Sequence, residues 1–305
     1  MPSVGLASDI AAFYSAQSAF SDPGGWAARF DGLGADPAEL ARIARGLMIH
    51  RLEGGIFGVD IPVDRLHDDA ETRYVDDILR IVVDRDPAPL DRPRAPGDRF
   101  VGVCRDFALL HCALLRHAGV PARVRYGFAN YFDSTGFHHD HMVTEYWDGD
   151  TARWRLADAQ LADPVVATAH RIDFDPMDVP REDFLVAGKA WRAVRARRAH
   201  PASFGVAPGT PLHGEWFVVG CVRIDLAAVN RVESLLWDVW GAGAGSDAEM
   251  TDEIRALYDE VAVVTGDDVP FAAARALFAG HDGLRTPASV LSLAPFNGPV
   301  EVALR

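Results

Sequence analysis

Lysine is nearly missing from this chain. Of its 30 basic residues all but Lys189 are arginine, a skew that reflects codon composition rather than arginine chemistry. Positive charge is short overall, since 44 acidic residues leave a formal net charge of −14. Nucleic-acid backbones bind to basic surfaces, so this balance argues against a nucleic-acid partner. Solubility is the simpler use of the acidic surface, ahead of attraction for a cationic substrate. Cysteine is scarce too. The odd count of three (Cys104, Cys112 and Cys221) argues against a disulfide framework and for a reducing, cytoplasmic compartment. No apolar run reaches the roughly 18 residues of a membrane span. The opening "MPSVGLASDIAAFYSAQ" lacks the basic start and long apolar stretch of a secretory leader. Internal repeats and low-complexity tracts are absent.

What remains is an ordinary globular composition. With 49% hydrophobic and 24% charged residues the chain can fill a core, and it reads as one domain over residues 1–305. Three parts follow from the pattern: a helical part over 1–97, a core over 98–165 and a mostly helical part over 166–305. "SDIAAFYSAQSAF" reads as a helix behind a Ser-Asp cap, and "DPAELARIARGLMIHRL" as one that runs from Asp36 to the Gly54-Gly55 pair. "DDAETRYVDDILRIVVDRD" is a third helix, and the proline-rich "DPAPLDRPRAPGD" is a surface loop. Downstream, "REDFLVAGKAWRAVRAR", "DAEMTDEIRALYDEVAVV" and "VPFAAARALFAG" read as helices. "GEWFVVGCVRIDLAAVN" reads as a strand that turns into a helix.

The informative stretch is "GVCRDFALLHCALLRHAGVPAR", residues 102–123. Phe107, Leu110, Leu114 and Leu115 recur on one helical face, and Gly119 follows as the stop. Cys104 therefore stands at a helix start, where free N–H groups and the positive dipole end favour an anion such as a thiolate. Beyond it "ARVRYGFANYF" alternates as a strand, and "HMVTEYW" and "RWRLADAQL" flank "DGDTA" as a hairpin. Pairing Trp147 with Ala152 makes His141 and Asp158 direct neighbours, and a one-residue slip leaves them adjacent or diagonal. A nucleophilic cysteine needs a base, and the base needs an orienting group. The spacing supplies both types.

Three motifs in this order resemble the transglutaminase-like superfamily of papain-type cysteine enzymes. They are Cys104 with its apolar helix and the Gly119-Val120-Pro121-Ala122-Arg123 strand entry, His141 with Glu145, and Trp154 with Asp158, within residues 102–161. The resemblance implies an α+β fold with a transglutaminase-like, papain-like core. In it a nucleophile helix packs on a small antiparallel sheet, between N- and C-terminal helices. It implies Cys104 as nucleophile, His141 as general acid/base, Asp158 as orienter, and a thioester intermediate formed from an amide. One oxyanion donor is the Cys104 backbone N–H; the second is not assigned.

Arg105, His139, Glu145 and Trp154 are candidate supporting or substrate-facing residues. Arg105 is either solvated or a neighbour that favours a thiolate, Asp106 a first-turn acid, and Glu145 either structural or substrate-facing. His139 is the rival base if the hairpin register shifts by two. A zinc site from His139, His141 and Asp158 is set aside because it leaves the cysteine without a role. The expected activity is a cofactor-independent, cysteine-dependent hydrolase or acyltransferase acting on a small-molecule or peptide amide, with no metal and no membrane partner. The alternative is a non-catalytic binding module that keeps the fold. The sequence does not fix the oligomeric state.

Overall fold

The computed structural model describes residues 5–305, so the first four residues of the stretch read as leaderless lie outside it. The chain is mixed α+β. It separates into two compact units, Met1–Val124 with Val143–Val179, and Arg125–Met142 with Pro180–Arg305.

In the first unit, α1 spans Ser8–Ser15 and starts without a side-chain cap, so the expected Ser-Asp cap does not form. Helix α2 (Pro37–Leu47) starts as its sequence dictates: the Asp36 carboxylate accepts from the N–H groups of Ala38 and Glu39. It ends at Leu47 rather than near Gly54. Met48–His50 instead becomes strand β1, paired in parallel with β2 (Phe100–Gly102). The periodic apolar pattern does continue through Met48, but the backbone there is extended and its partner lies some fifty residues away in the chain.

Two short helices, α3 (Gly54–Phe57) and α4 (Val63–Asp68), lead to α5 (Val75–Arg85), which buries Val75, Ile78, Leu79, Val82 and Val83. The proline-rich loop that follows is gathered by the buried Arg94 guanidinium, which donates to the carbonyls of Asp86, Ala88 and Pro89. Helix α6 (Cys104–His117) buries 13 of its 14 residues and stops at Gly119, whose φ of 78° is the left-handed conformation glycine tolerates.

Strand β3 is Ala122–Ala129, β4 is His138–Asp148 and β5 is Arg153–Ala157. Within the first unit β4 pairs antiparallel with β5. The turn between them is tied by Asp148, which accepts from the N–H of Asp150 and the hydroxyl of Thr151, with Ala152 at φ 52°. This four-residue loop sets Trp147 opposite Trp154, not opposite Ala152. The expected register is thus off by two. The short α7 (Pro164–Ala169) completes the unit.

In the second unit the later half of β3 pairs antiparallel with β6 (Phe184–Val186). Helix α8 therefore begins only at Ala187 and ends at Arg195. The start of β4 runs parallel to β7 (Phe204–Gly205). Helix α9 occupies Glu215–Val229 throughout, where a strand was expected first. It buries Val218, Val219 and all of 221–229, so no polar stripe reveals its helical period. Strand β8 (Asp238–Val239) precedes α10 (Asp252–Val264) and α11 (Phe271–Gly280), which form as expected. A small antiparallel sheet orders β10 (Val300–Ala303), β9 (Ser289–Ser292) and β8. Arg125 and Asp225 form a fully buried pair, and Arg125 also donates to the carbonyls of Thr265 and Gly266. Among the described residues no helix is long and apolar enough to cross a membrane.

Candidate active site

Cys104 is the first residue of α6 and is 5% exposed. Its N–H lies in the first turn, where a helix offers no internal acceptor. The entry to the helix is held by Asp106, whose carboxylate accepts from the Val103 N–H at 2.9 Å and from Arg105 Nη1 at 3.0 Å. Burial pushes the Asp106 carboxyl up, and the Arg105 charge opposes that shift. Gly102 is required by this arrangement, since a Cβ there would stand 2.9 Å from Asp106 Oδ2. Arg105 is not solvated. It is fully buried, bonded to Asp106 and to the carbonyls of Thr72 and Arg73. Together the pair fixes the mouth of α6 from inside the first unit.

Asp158 also lies in the first unit and is 1% exposed. One carboxylate oxygen accepts from the Gln160 N–H at 3.0 Å, as the cap of a short 3₁₀ turn over Ala159–Ala162. Gln160 continues inward, donating through Nε2 to the buried Glu53, which pairs with Arg45 at 2.7 Å. Asp158 is therefore anchored from its own chain. Ala157 lies opposite Thr144 and closes the paired register, and Asp158 follows it directly.

Glu145 and Trp154 have structural partners. The Glu145 carboxylate is fully buried and accepts from Arg123 Nε at 2.7 Å. The Arg123 guanidinium in turn lies 4.1 Å from the Trp154 ring centroid and 5.1 Å from that of Tyr14. His111, which sequence reasoning passed over, binds α6 to β4. Its ring nitrogens meet Pro37 O at 3.0 Å and Thr144 Oγ1 at 3.2 Å. Burial lowers its pKa to about 4, so the ring is neutral near pH 7.

His141 belongs to the second unit and is 2% exposed. Phe132, Tyr131 and Phe184 approach its ring edge-on, with centroids at 4.9, 6.1 and 6.3 Å. His139 sits differently. Its Nε2 meets Asp133 at 2.6 Å and its Nδ1 meets Val206 O at 3.1 Å, so both ring nitrogens are occupied. The Thr135 hydroxyl bond, helped by His139, pulls the Asp133 carboxyl down to about 2. Among the described residues no group of three or more His, Cys, Asp or Glu side chains is placed to hold a metal ion.

Compared with known families, residues 73–159 match the transglutaminase-like superfamily. The matched segment reaches back to include α5, and it ends one residue past Asp158. No curated protein matches the chain. Among solved structures, the crystal structure of a "putative cysteine protease" from Cytophaga hutchinsonii is similar at 21% identity and a TM-score of 0.32. The likeness covers 54% of this chain and 46% of that one, so it spans less than half of the Cytophaga protein. None of the three cysteines is in a disulfide and all are buried; Cys104 is the one that opens a helix.

Proposed function

We propose that the transglutaminase-like domain is a cysteine amidase or peptidase in which Cys104 attacks an amide carbonyl. His141 takes the thiol proton as the Cys104 Sγ–carbon bond forms, and gives it to the departing amine as the carbon–nitrogen bond breaks. The resulting thioester is cleared by water, His141 now acting as base, which returns the thiol and releases the acid. Asp158 orients the imidazole. The N–H of Cys104 holds the oxyanion with the help of the helix terminus.

The observation that carries this reading is Cys104 as the first residue of a buried helix inside the segment that matches the superfamily. Asp158 supports it as a buried carboxylate held by the Gln160 N–H, one residue past the strand that pairs with β4. His141 is favoured over His139 because both ring nitrogens of His139 are committed to Asp133 and Val206. Water is favoured as acyl acceptor because it is always at hand.

The test is a mass-spectrometric screen of amides and short peptides for cleavage, with Cys104→Ala in parallel. Cleavage by the native protein with an acylated Cys104 trapped by acid quench is expected. Equal cleavage by Cys104→Ala would remove Cys104 from the chemistry.

A further inference from the structure

The second unit contains a basic cavity lined by none of the candidate active-site residues. The segment "KAWRAVRARRAH", residues 189–200, holds Lys189, Arg192, Arg195, Arg197, Arg198 and His200 without one acidic residue, in a chain of net charge −14. Where this segment leaves α8 it bounds a cavity of about 450 Å³, lined by Val194, Arg195, Arg197, Arg198, His200 and Glu215 among others.

Much of the lining is fixed in place. Arg195 is held by Asp259 through Nε at 3.0 Å and Nη2 at 3.1 Å. It also lies 5.6 Å from the Trp191 ring centroid, while the Trp191 indole donates to the same carboxylate at 2.9 Å. Glu215 accepts from Arg255 at 2.9 and 2.8 Å, so its charge is matched. His200 Nδ1 accepts from the Ala202 N–H at 3.2 Å, which leaves the proton of the neutral ring on Nε2.

Arg197 and Arg198 are the exception. Their backbones are tied to the end of α8 by bonds to the carbonyls of Val194 and Ala193. Their exposed guanidinium groups have no ion pair or hydrogen bond among the described residues. The cavity therefore presents two uncompensated positive charges on adjacent residues, beside a pre-oriented imidazole donor.

We infer that this cavity binds a phosphorylated small molecule, with Arg197 and Arg198 on the phosphate and His200 Nε2–H as a third donor. A phosphate monoester carries about −1.5 to −2 charge near pH 7, which matches the two free guanidiniums. The guanidinium fork suits phosphate oxygens in a way an ammonium does not. A cavity of about 450 Å³ has room for an organic body as well as the phosphate, within the range usual for small ligands. The overall acidity of the chain does not oppose this, because the field at the cavity is set by the nearest charges within a Debye length of about 10 Å.

The inference is independent of Cys104. It is tested by isothermal titration calorimetry with inorganic phosphate and with glycerol phosphate as probes, at low ionic strength. Saturable binding is expected, tighter for glycerol phosphate. The double variant Arg197→Gln/Arg198→Gln is expected to weaken it by about tenfold or more. Arg192→Gln, an exposed and unpaired arginine on α8 outside the cavity lining, should change it less than twofold. Cys104→Ala should bind as the native protein does, whether or not the thiol is a nucleophile. Absence of saturation at millimolar probe, or an equal loss in Arg192→Gln and the double variant, would overturn the assignment.

Discussion

His111 gives the structure a quantitative acid test. The ring is fully buried between α2 and β4, and burial lowers its pKa from 6.5 to about 4 against the smaller opposing effects of the Pro37 carbonyl and the Asp158 charge. Between these two values the unfolded chain binds the proton that the folded one refuses. Stability from this group is thus complete above about pH 7 and falls as the solution is acidified through 6.5 toward 4. The loss amounts to about 2 kcal/mol by pH 5 and about 3 kcal/mol at pH 4. Urea unfolding of the native protein and of His111→Gln across this range isolates the effect, because all other titrating groups are shared. The variant is less stable at pH 7.5, where it lacks the Pro37 and Thr144 bonds, but its stability should fall less steeply with acid. Parallel pH curves would refute the reasoning, since a ring that titrates equally in both states contributes no slope.

Three further outcomes are expected. Asp158→Asn should slow turnover strongly but less completely than His141→Ala, because an amide still holds the imidazole yet stabilises its charged form less; turnover lost in His139→Ala and kept in His141→Ala would exchange their roles. Glu145→Ala should cost about 3–5 kcal/mol in unfolding experiments, since it strands the Arg123 charge at 2% exposure. A loss of turnover in a stably folded Glu145→Gln would instead make Glu145 a substrate residue. Turnover should survive EDTA, because His139, which the zinc alternative needs, is bound through both nitrogens to Asp133 and Val206; loss with recovery on added zinc would favour the metal reading.

The helix that starts at Cys104 was readable because its signals are local: four apolar residues on one face, a glycine stop and a strand entry at Pro121-Ala122-Arg123. The β4–β5 hairpin was readable for the same reason, but its register was not. That depended on Asp148 tying a four-residue loop and on Ala152 accepting a left-handed backbone, neither of which alternation reports. Strand β1 was hidden because its partner β2 is distant in sequence, and α9 because burial on nearly every side erases the helical period. Arg105 read either as a solvated charge or as a neighbour that favours a thiolate. Its partners are Asp106 and two carbonyls before α5, and only the fold brings the carbonyls close. The candidate residues were thus visible as types and order, whereas what holds each one was not.

The central claim is that Cys104 is a nucleophile. Alkylation with iodoacetamide at about pH 6, followed by peptide mapping, puts it beside two internal controls. Cys112 is fully buried on the same helix, and burial pushes the Cys221 thiol well above its ordinary pKa, so both should react sluggishly. The account predicts modification at Cys104 first, slowed when His141 is replaced by alanine. Equal slow labelling of all three cysteines, or faster labelling at Cys221, would contradict it and leave the domain as a binding module with a structural thiol at the helix start.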